Sequence, residues 1–436
     1  MKKIIHSVLL ASTVLAASMS LHAMENKLVV VTSFPKDLTK EFKSAFEKKN
    51  PGLKIEMLKK KTTAGIKYIQ ETASNNSSDL FWASAPDAFE VLKGDNLLAK
   101  YTSPAKGIPK NVGSYPINDP DGYYTGFAAA GYGIMWNTRY LKAKKLPVPA
   151  QWSDLTKTVY HNHVGMSAPS RSGTTHLTVE TLLQGDGWNE GWAKWKQIAG
   201  NFKTVTARSF GVPDGVNSGS FGVGIVIDFF GLSSKGSGFP VDFVYPKTTA
   251  LVPANIGVLN NAPHPKAAKA FIDFLLSDQG QEILLNKKIR RLPVNPATYA
   301  KAPPNFPNPF KDGSTIGAAV NFDVKLSKSR YNLVNSMFDV MITYRMDDLR
   351  AATKAIQDAE AANGNSKLIA EAKALVAALP ITEAEAADPA FAGIFKKKRK
   401  KATDKVTGRQ AEVEQKWDTM VKANYAKAIK LANKAH

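Results

Sequence analysis

Three short apolar runs, at residues 27–31, 53–58 and 79–84, constrain the fold more than any other feature of the chain. Between them lie stretches whose apolar residues recur at helical spacing: Leu38, Phe42, Ala45 and Phe46 on one face, then residues 62–73, and after the third run Phe89 and Leu92. Strand, helix, strand, helix, strand predicts parallel pairing, because parallel neighbours need a crossover of about a dozen residues and a helix supplies it. Pro35 suits a first helical turn and Ser33 a cap, while Asn50-Pro51-Gly52 ends the first helix. Ligands of such sheets sit beyond the carboxyl ends of the strands, so Ser33, Phe34, Ser84 and Ala85 are placed on one wall of a cleft.

Further along, residues 122–137 (GYYTGFAAAGYGIMWN) form a long apolar, glycine-spaced run that reads as a strand leaving this sheet for another. A second block follows, with Trp188, Trp192, Trp195 and Ile198 at helical spacing as core. Next come a strand at 205–210 carrying Arg208, a loop at 215–219 with Asn217 offering further donors, and an apolar run at 222–230 interrupted by Asp228. A carboxylate in such a run must be hydrogen-bonded. Two roles stay open for it: a structural bond to backbone or Arg208, or acceptance from ligand hydroxyls in the cleft. Residues 251–259 read as the return crossing, followed by a helix with Ala268, Phe271, Ile272 and Leu275 on one face and then a proline-rich linker. Residues 332–379 and 409–435 are rich in Ala, Lys, Glu and Leu and predict helices, and Lys396-Lys397-Lys398-Arg399-Lys400-Lys401 reads as a solvated run.

The stretch Ser170-Arg171-Ser172-Gly173-Thr174-Thr175-His176 lies between an apolar run ending at Pro169 and a helical pattern from Leu177. Free N–H groups at the start of that helix, three hydroxyls, Arg171 and His176 make a cradle for a phosphate or carboxylate. The plainer reading, that one of these residues caps the helix and the others are solvated, stays open at this point.

Lys2 and Lys3, an apolar run at 8–17 and small residues ending at Ala23 read as a secretory signal with cleavage after Ala23, too short to span a membrane. The chain contains no cysteine, which excludes disulfides, thiolate metal sites, cysteine nucleophiles and a lipid anchor on cysteine. An exported chain without an anchor points to the periplasm. The formal charge of +21 favours anionic partners, and export argues against nucleic acid among them. No Gly-Lys-Ser/Thr phosphate loop and no Gly-x-Ser-x-Gly elbow occurs, so no enzymatic constellation and no cofactor are expected. His161-Asn162-His163 reads as a strand with both imidazoles on one side, yet without a third metal ligand in view.

Taken together, Thr32 to Pro35, the cradle at 171–176, TARSFGVPDGVNSG at 206–219, residues 227–231 and the stretch 253–280 ending in FIDFLLSDQG resemble exported solute-binding proteins of ABC transporters. The likeness is to the branch with ferric-ion, hexose-phosphate and phosphoglycerate binders. It implies an α/β, two-lobed type II periplasmic binding protein fold with a hinge of two crossings and a C-terminal α-helical extension. The expected boundaries are a signal at 1–23, lobe I at 24–130 and 253–310, lobe II at 131–252, and the extension at 311–436. The resemblance further implies a non-catalytic monomer that binds a small anionic solute and serves an inner-membrane ABC permease. Ferric binders carry paired tyrosines where this chain has Ile227-Asp228-Phe229-Phe230, so an organic phosphate is the expected ligand, with iron or a sensing role as alternatives. Ser33, Ser172, Thr174 and Thr175 are the implied phosphate donors and His176 and Asp228 the implied partners of the rest. Phe34, Ser84, Gly173, Arg208 and Asn217 complete the expected site.

Overall fold

The computed structural model describes residues 24–311, 316, 320–395 and 406–435; the expected signal at 1–23 and the basic run at 396–401 fall outside the described residues. The three opening runs form strands Lys27–Thr32, Lys54–Lys59 and Leu80–Ala83, paired in parallel with Lys27–Thr32 in the centre. Val252–Leu259 and Thr125–Ala130 extend this sheet antiparallel, and Leu292–Pro293 closes its edge. Both faces are covered, because neighbouring residues of one strand serve different cores. Leu28 and Val30 pack with Phe42, Phe46 and Phe271, whereas Val31 packs with Ile66, Phe81 and Phe89.

The second sheet has five strands in the order Phe202–Thr206, Val164–Ser167, Val223–Ile227, Tyr132–Asn137 and Val241–Val244. Thr125–Ala130 ends in the first sheet and Tyr132–Asn137 begins in the second, so a single residue, Gly131, carries the chain between them. The return runs from Val241–Val244 to Val252–Leu259. Asp228 braces the first crossing: one carboxylate oxygen accepts the Gly131 N–H at 2.8 Å and the Tyr245 hydroxyl at 2.9 Å, and the other accepts the Phe229 N–H at 2.7 Å.

Some local expectations differ. His161-Asn162-His163 is a turn, with Asn162 at φ 65°, so its imidazoles do not share a strand face; His163 Nδ1 bonds the Tyr140 hydroxyl at 2.8 Å. Residues 215–218 belong to a helix, Gly211–Ser218, not to a loop. Arg208 follows the strand Phe202–Thr206 instead of lying in it. The first helix starts at Lys36 with Pro35 at its cap, which leaves Ser33 free of a capping bond.

The extension is helical, with Tyr331–Phe338, Met346–Ala361, Ser366–Ala377 and Arg409–Ala435 as its main pieces. Its apolar face and that of the tryptophan helix Trp188–Ala199 form one cluster, joining Trp192, Trp195 and Val223 to Met337, Phe338, Ile356, Trp417 and Tyr425. Polar groups fix the docking. Arg330 pairs Glu180 through two bonds at 3.0 and 2.9 Å with both side chains buried, and Lys196 donates to the carbonyls of Val376 and Ala378 at 3.0 and 2.6 Å. Burial with no nearby carboxylate lowers Lys196 to about 7. A buried carboxylate left without its guanidinium is costly, so Arg330→Met should lower the unfolding free energy by about 3–5 kcal/mol. Adding Glu180→Leu should recover much of that loss, both read from denaturant midpoints at constant slope.

Candidate functional site

The cleft is lined from both sheets. From the first come Ser33 and Phe34 beyond Lys27–Thr32, Lys59, Lys60 and Lys61 at the end of Lys54–Lys59, Thr62, and Ser84 beyond Leu80–Ala83. The second contributes Arg171, Ser172, Thr174, Arg208, Ser209, Phe210, Phe229 and Phe230. Parallel strands all end on one side, which is why residues far apart in sequence arrive together.

Among the described residues six cations line this cleft (Lys59, Lys60, Lys61, Arg171, Arg208 and Arg291), and no carboxylate does. Their mutual field is visible on Lys61, whose pKa is lowered by partial burial and then by Arg208 and Arg171 across the cleft. Lys59 also reaches over the Phe210 ring, 5.7 Å from its centre.

Sequence reasoning missed Lys59, Lys60 and Lys61 and, most consequentially, Arg291. The chain reaches it through a left-handed residue, Arg290 at φ 46°, just before the edge strand Leu292–Pro293. Its side chain is 1% exposed and lies between Phe229 at 3.7 Å and Phe34 at 4.6 Å, so it touches rings from both sides of the cleft. All three guanidinium nitrogens lack a hydrogen-bond partner among the described residues. Burial lowers its pKa to about 9, against Asp228 and Tyr132, which raise it. The only hint in the sequence is a charged pair placed directly before an apolar Leu-Pro-Val segment.

Of the expected residues, the structure brings Ser33, Phe34, Ser84, Ser172, Thr174 and Arg208 to one cleft. Ser172 caps the helix Gly173–Asp186, its hydroxyl accepting the Thr175 N–H at 3.3 Å, and it lines the cleft as well, so the capping reading holds for this residue without removing it from the cleft. Thr175 itself is buried away from the cleft. Gly173 contributes closeness: a Cβ there would come within 3.0 Å of Ala85 and 3.2 Å of Thr62 on the opposite side.

Three further expectations are corrected. Asp228 is fully enclosed by Gly131, Phe229 and Tyr245, so it is a hinge brace with no oxygen left for ligand hydroxyls. Burial raises its carboxyl to about 6, opposed by those donors and by Arg291. Asn217 faces Ser234 on the helix Asp228–Gly236 at 3.0 Å. His176 is 0% exposed and bonds Asn335 and Ser327 of the extension at 2.8 and 3.1 Å. Its helix turns it away because the cleft-facing residues are the first of the turn, whereas His176 points to the face that the extension covers.

Residues 75–316 match the family of bacterial extracellular solute-binding proteins. The chain is 32% identical over 387 residues to the phosphoglycerate transport regulatory protein PgtC of Salmonella typhimurium, covering 87% of this chain and 92% of that one. Among solved structures, the periplasmic binding protein AfuA of Actinobacillus pleuropneumoniae, with exogenous fructose-6-phosphate bound, superposes with a TM-score of 0.61 at 22% identity, over 72% of this chain and 98% of AfuA. The apo ferric ion-binding protein A of Pasteurella haemolytica gives a TM-score of 0.57 at 13% identity, over 72% and 97%. Both likenesses are of fold. With two lobes, a cleft between them and a C-terminal helical extension on a type II periplasmic binding protein fold, the chain belongs to the bacterial extracellular solute-binding proteins.

Proposed function

We propose that this protein is a periplasmic, non-catalytic receptor that captures a small organic phosphate bearing a second anionic group, of the phosphoglycerate kind, and hands it to an inner-membrane ABC permease. The observation that carries the reading is Arg291, a buried guanidinium whose nitrogens find no partner among the described residues, at a cleft lined by five more cations. Leaving such donors unmet is expensive, and a bidentate anion meets them. Ser33, Ser84, Ser172 and Thr174 supply neutral donors around it. A sugar phosphate fits less well, because its hydroxyls also donate and no cleft carboxylate among the described residues accepts from them. The aromatic wall of Phe34, Phe210, Phe229 and Phe230 takes the short carbon skeleton.

The Salmonella typhimurium relative is named for phosphoglycerate transport and the Actinobacillus pleuropneumoniae protein holds fructose-6-phosphate, which supports an organic phosphate. Ferric iron is disfavoured by the six cations and by Asp228-Phe229-Phe230 after the strand Val223–Ile227. In this reading residues 1–23 are the export signal and the lobes divide at Gly131 and near Val252. The protein works as a monomer.

Calorimetric titration of refolded, ligand-free protein should find phosphoglycerate bound more tightly than hexose phosphate or inorganic phosphate, with no phosphate released; binding of ferric citrate alone would overturn the proposal. Arg291→Gln should weaken phosphoglycerate by at least ~2 kcal/mol, about thirtyfold in Kd, without shifting the unfolding midpoint downward. A bound anion raises the lowered pKa of Lys61, so on the alkaline side of neutrality binding should take up a proton and affinity should fall as pH rises. Lys61→Gln should flatten that profile, as read from the buffer dependence of the binding heat.

A further inference from the structure

Outside the cleft, one segment touches both lobes. Helix Val324–Ser329 packs on helix Pro86–Gly94 of the first lobe, where the Ser327 hydroxyl donates to Asp87 at 3.3 Å and Lys328 Nζ lies 2.8 Å from where a Cβ on Gly94 would stand. The same Ser327 oxygen lies 3.1 Å from His176 Nε2 on the cradle helix of the second lobe, and the Asp87 carboxylate is 3.5 Å from that nitrogen. The following helix, Tyr331–Phe338, completes the enclosure: Asn335 bonds His176 Nδ1 at 2.8 Å and the Tyr331 ring lies 4.0 Å from the imidazole. Val320, Phe322 and Val324 share an apolar cluster with Phe81 and Phe89 of one lobe and Leu177 and Val226 of the other. Ser327, His176 and Asn335 have the order of a hydrolytic triad, but with His176 and Asp87 both at 0% exposure no substrate reaches them.

We propose that residues 320–338 are a strap that latches the two lobes in the arrangement seen here and so sets the balance between it and a more open form before any ligand arrives. Separating the lobes has to break the Ser327 to Asp87 bond or pull Ser327 from His176, because one hydroxyl serves both. The latch is poised for release. Burial raises Asp87 to about 7, against the Ala88 N–H and the Ser327 hydroxyl, so returning that carboxyl to water offsets part of what it costs to break the Ser327 bonds. The strap also continues into the cradle: Asp339, just beyond it, is close enough to Ser170 and Arg171 for both to oppose the upward push of burial on its carboxyl. Since the rest of the extension shares the second lobe's core, motion of the first lobe is felt at this segment. None of this depends on which anion binds.

The absence of native cysteine makes the test direct. Lys48→Cys and Lys203→Cys, both exposed and one on each lobe, carry spin labels in the full chain, and double electron–electron resonance reads the distance between lobes without ligand. Against that background Ser327→Ala and, separately, Asp87→Asn loosen the latch; both replacements are small, and circular dichroism checks that each variant is folded. The expected result is a longer-distance population raised at least about twofold in either variant. Distance distributions in both variants that superpose on that of the parent would overturn the strap, whatever ligand the cleft takes.

Discussion

Charge convergence between two lobes is the constraint on which the rest of this molecule depends. Arg291 sits where the lobes meet, held between Phe34 and Phe229, and five further cations face the same space. Like charges that repel across a gap favour its opening, and in the proposed function an anion reverses the sign of that effect. In that reading closure and capture are one equilibrium, which a ligand shifts only through interactions made with both lobes. Asp228 lies close to Arg291 but commits its oxygens to Gly131, Phe229 and Tyr245, so it steadies the crossing and leaves the guanidinium its donors.

The extension adds a second connection between the lobes, at Ser327. Its helices continue the apolar core of the second lobe, with the Arg330 to Glu180 pair and the Lys196 bonds fixing their position. Burying these charges costs desolvation, so their partners specify one docking geometry more than they add stability. From that platform the chain reaches across to the first lobe at Asp87 and alongside the cradle at Ser170.

Much of the architecture was legible in the residues alone. The alternation of β-branched runs with helical faces announced a parallel sheet, and the run at 122–137 announced the crossing, because each pattern is local and each has one good way to bury its apolar atoms. The arrival of Ser33, Ser84, Ser172 and Thr174 at one cleft followed from the rule that strand ends and helix starts point to the same side. The rule fails for His176 and Thr175, since it says where a helix begins but not which of its faces another element will cover. Arg291 was hidden for a related reason: it follows no local pattern, and only the edge pairing of Leu292–Pro293 with Thr125–Ala130 brings it under the cleft.

By itself the sequence determined the α/β pattern of the two lobes, the helical character of the tail and the positive charge of the molecule, because periodicity, propensity and net charge are properties of short stretches or of simple sums. Tertiary structure alone decided which charges meet, that Asp228 braces a hinge, and that Ser327 of the tail joins Asp87 to His176. Those outcomes rest on bonds between residues up to 240 positions apart. Hydrogen bonds and ion pairs act over a few ångströms, so the assignment of partners waits until packing has fixed which surfaces touch.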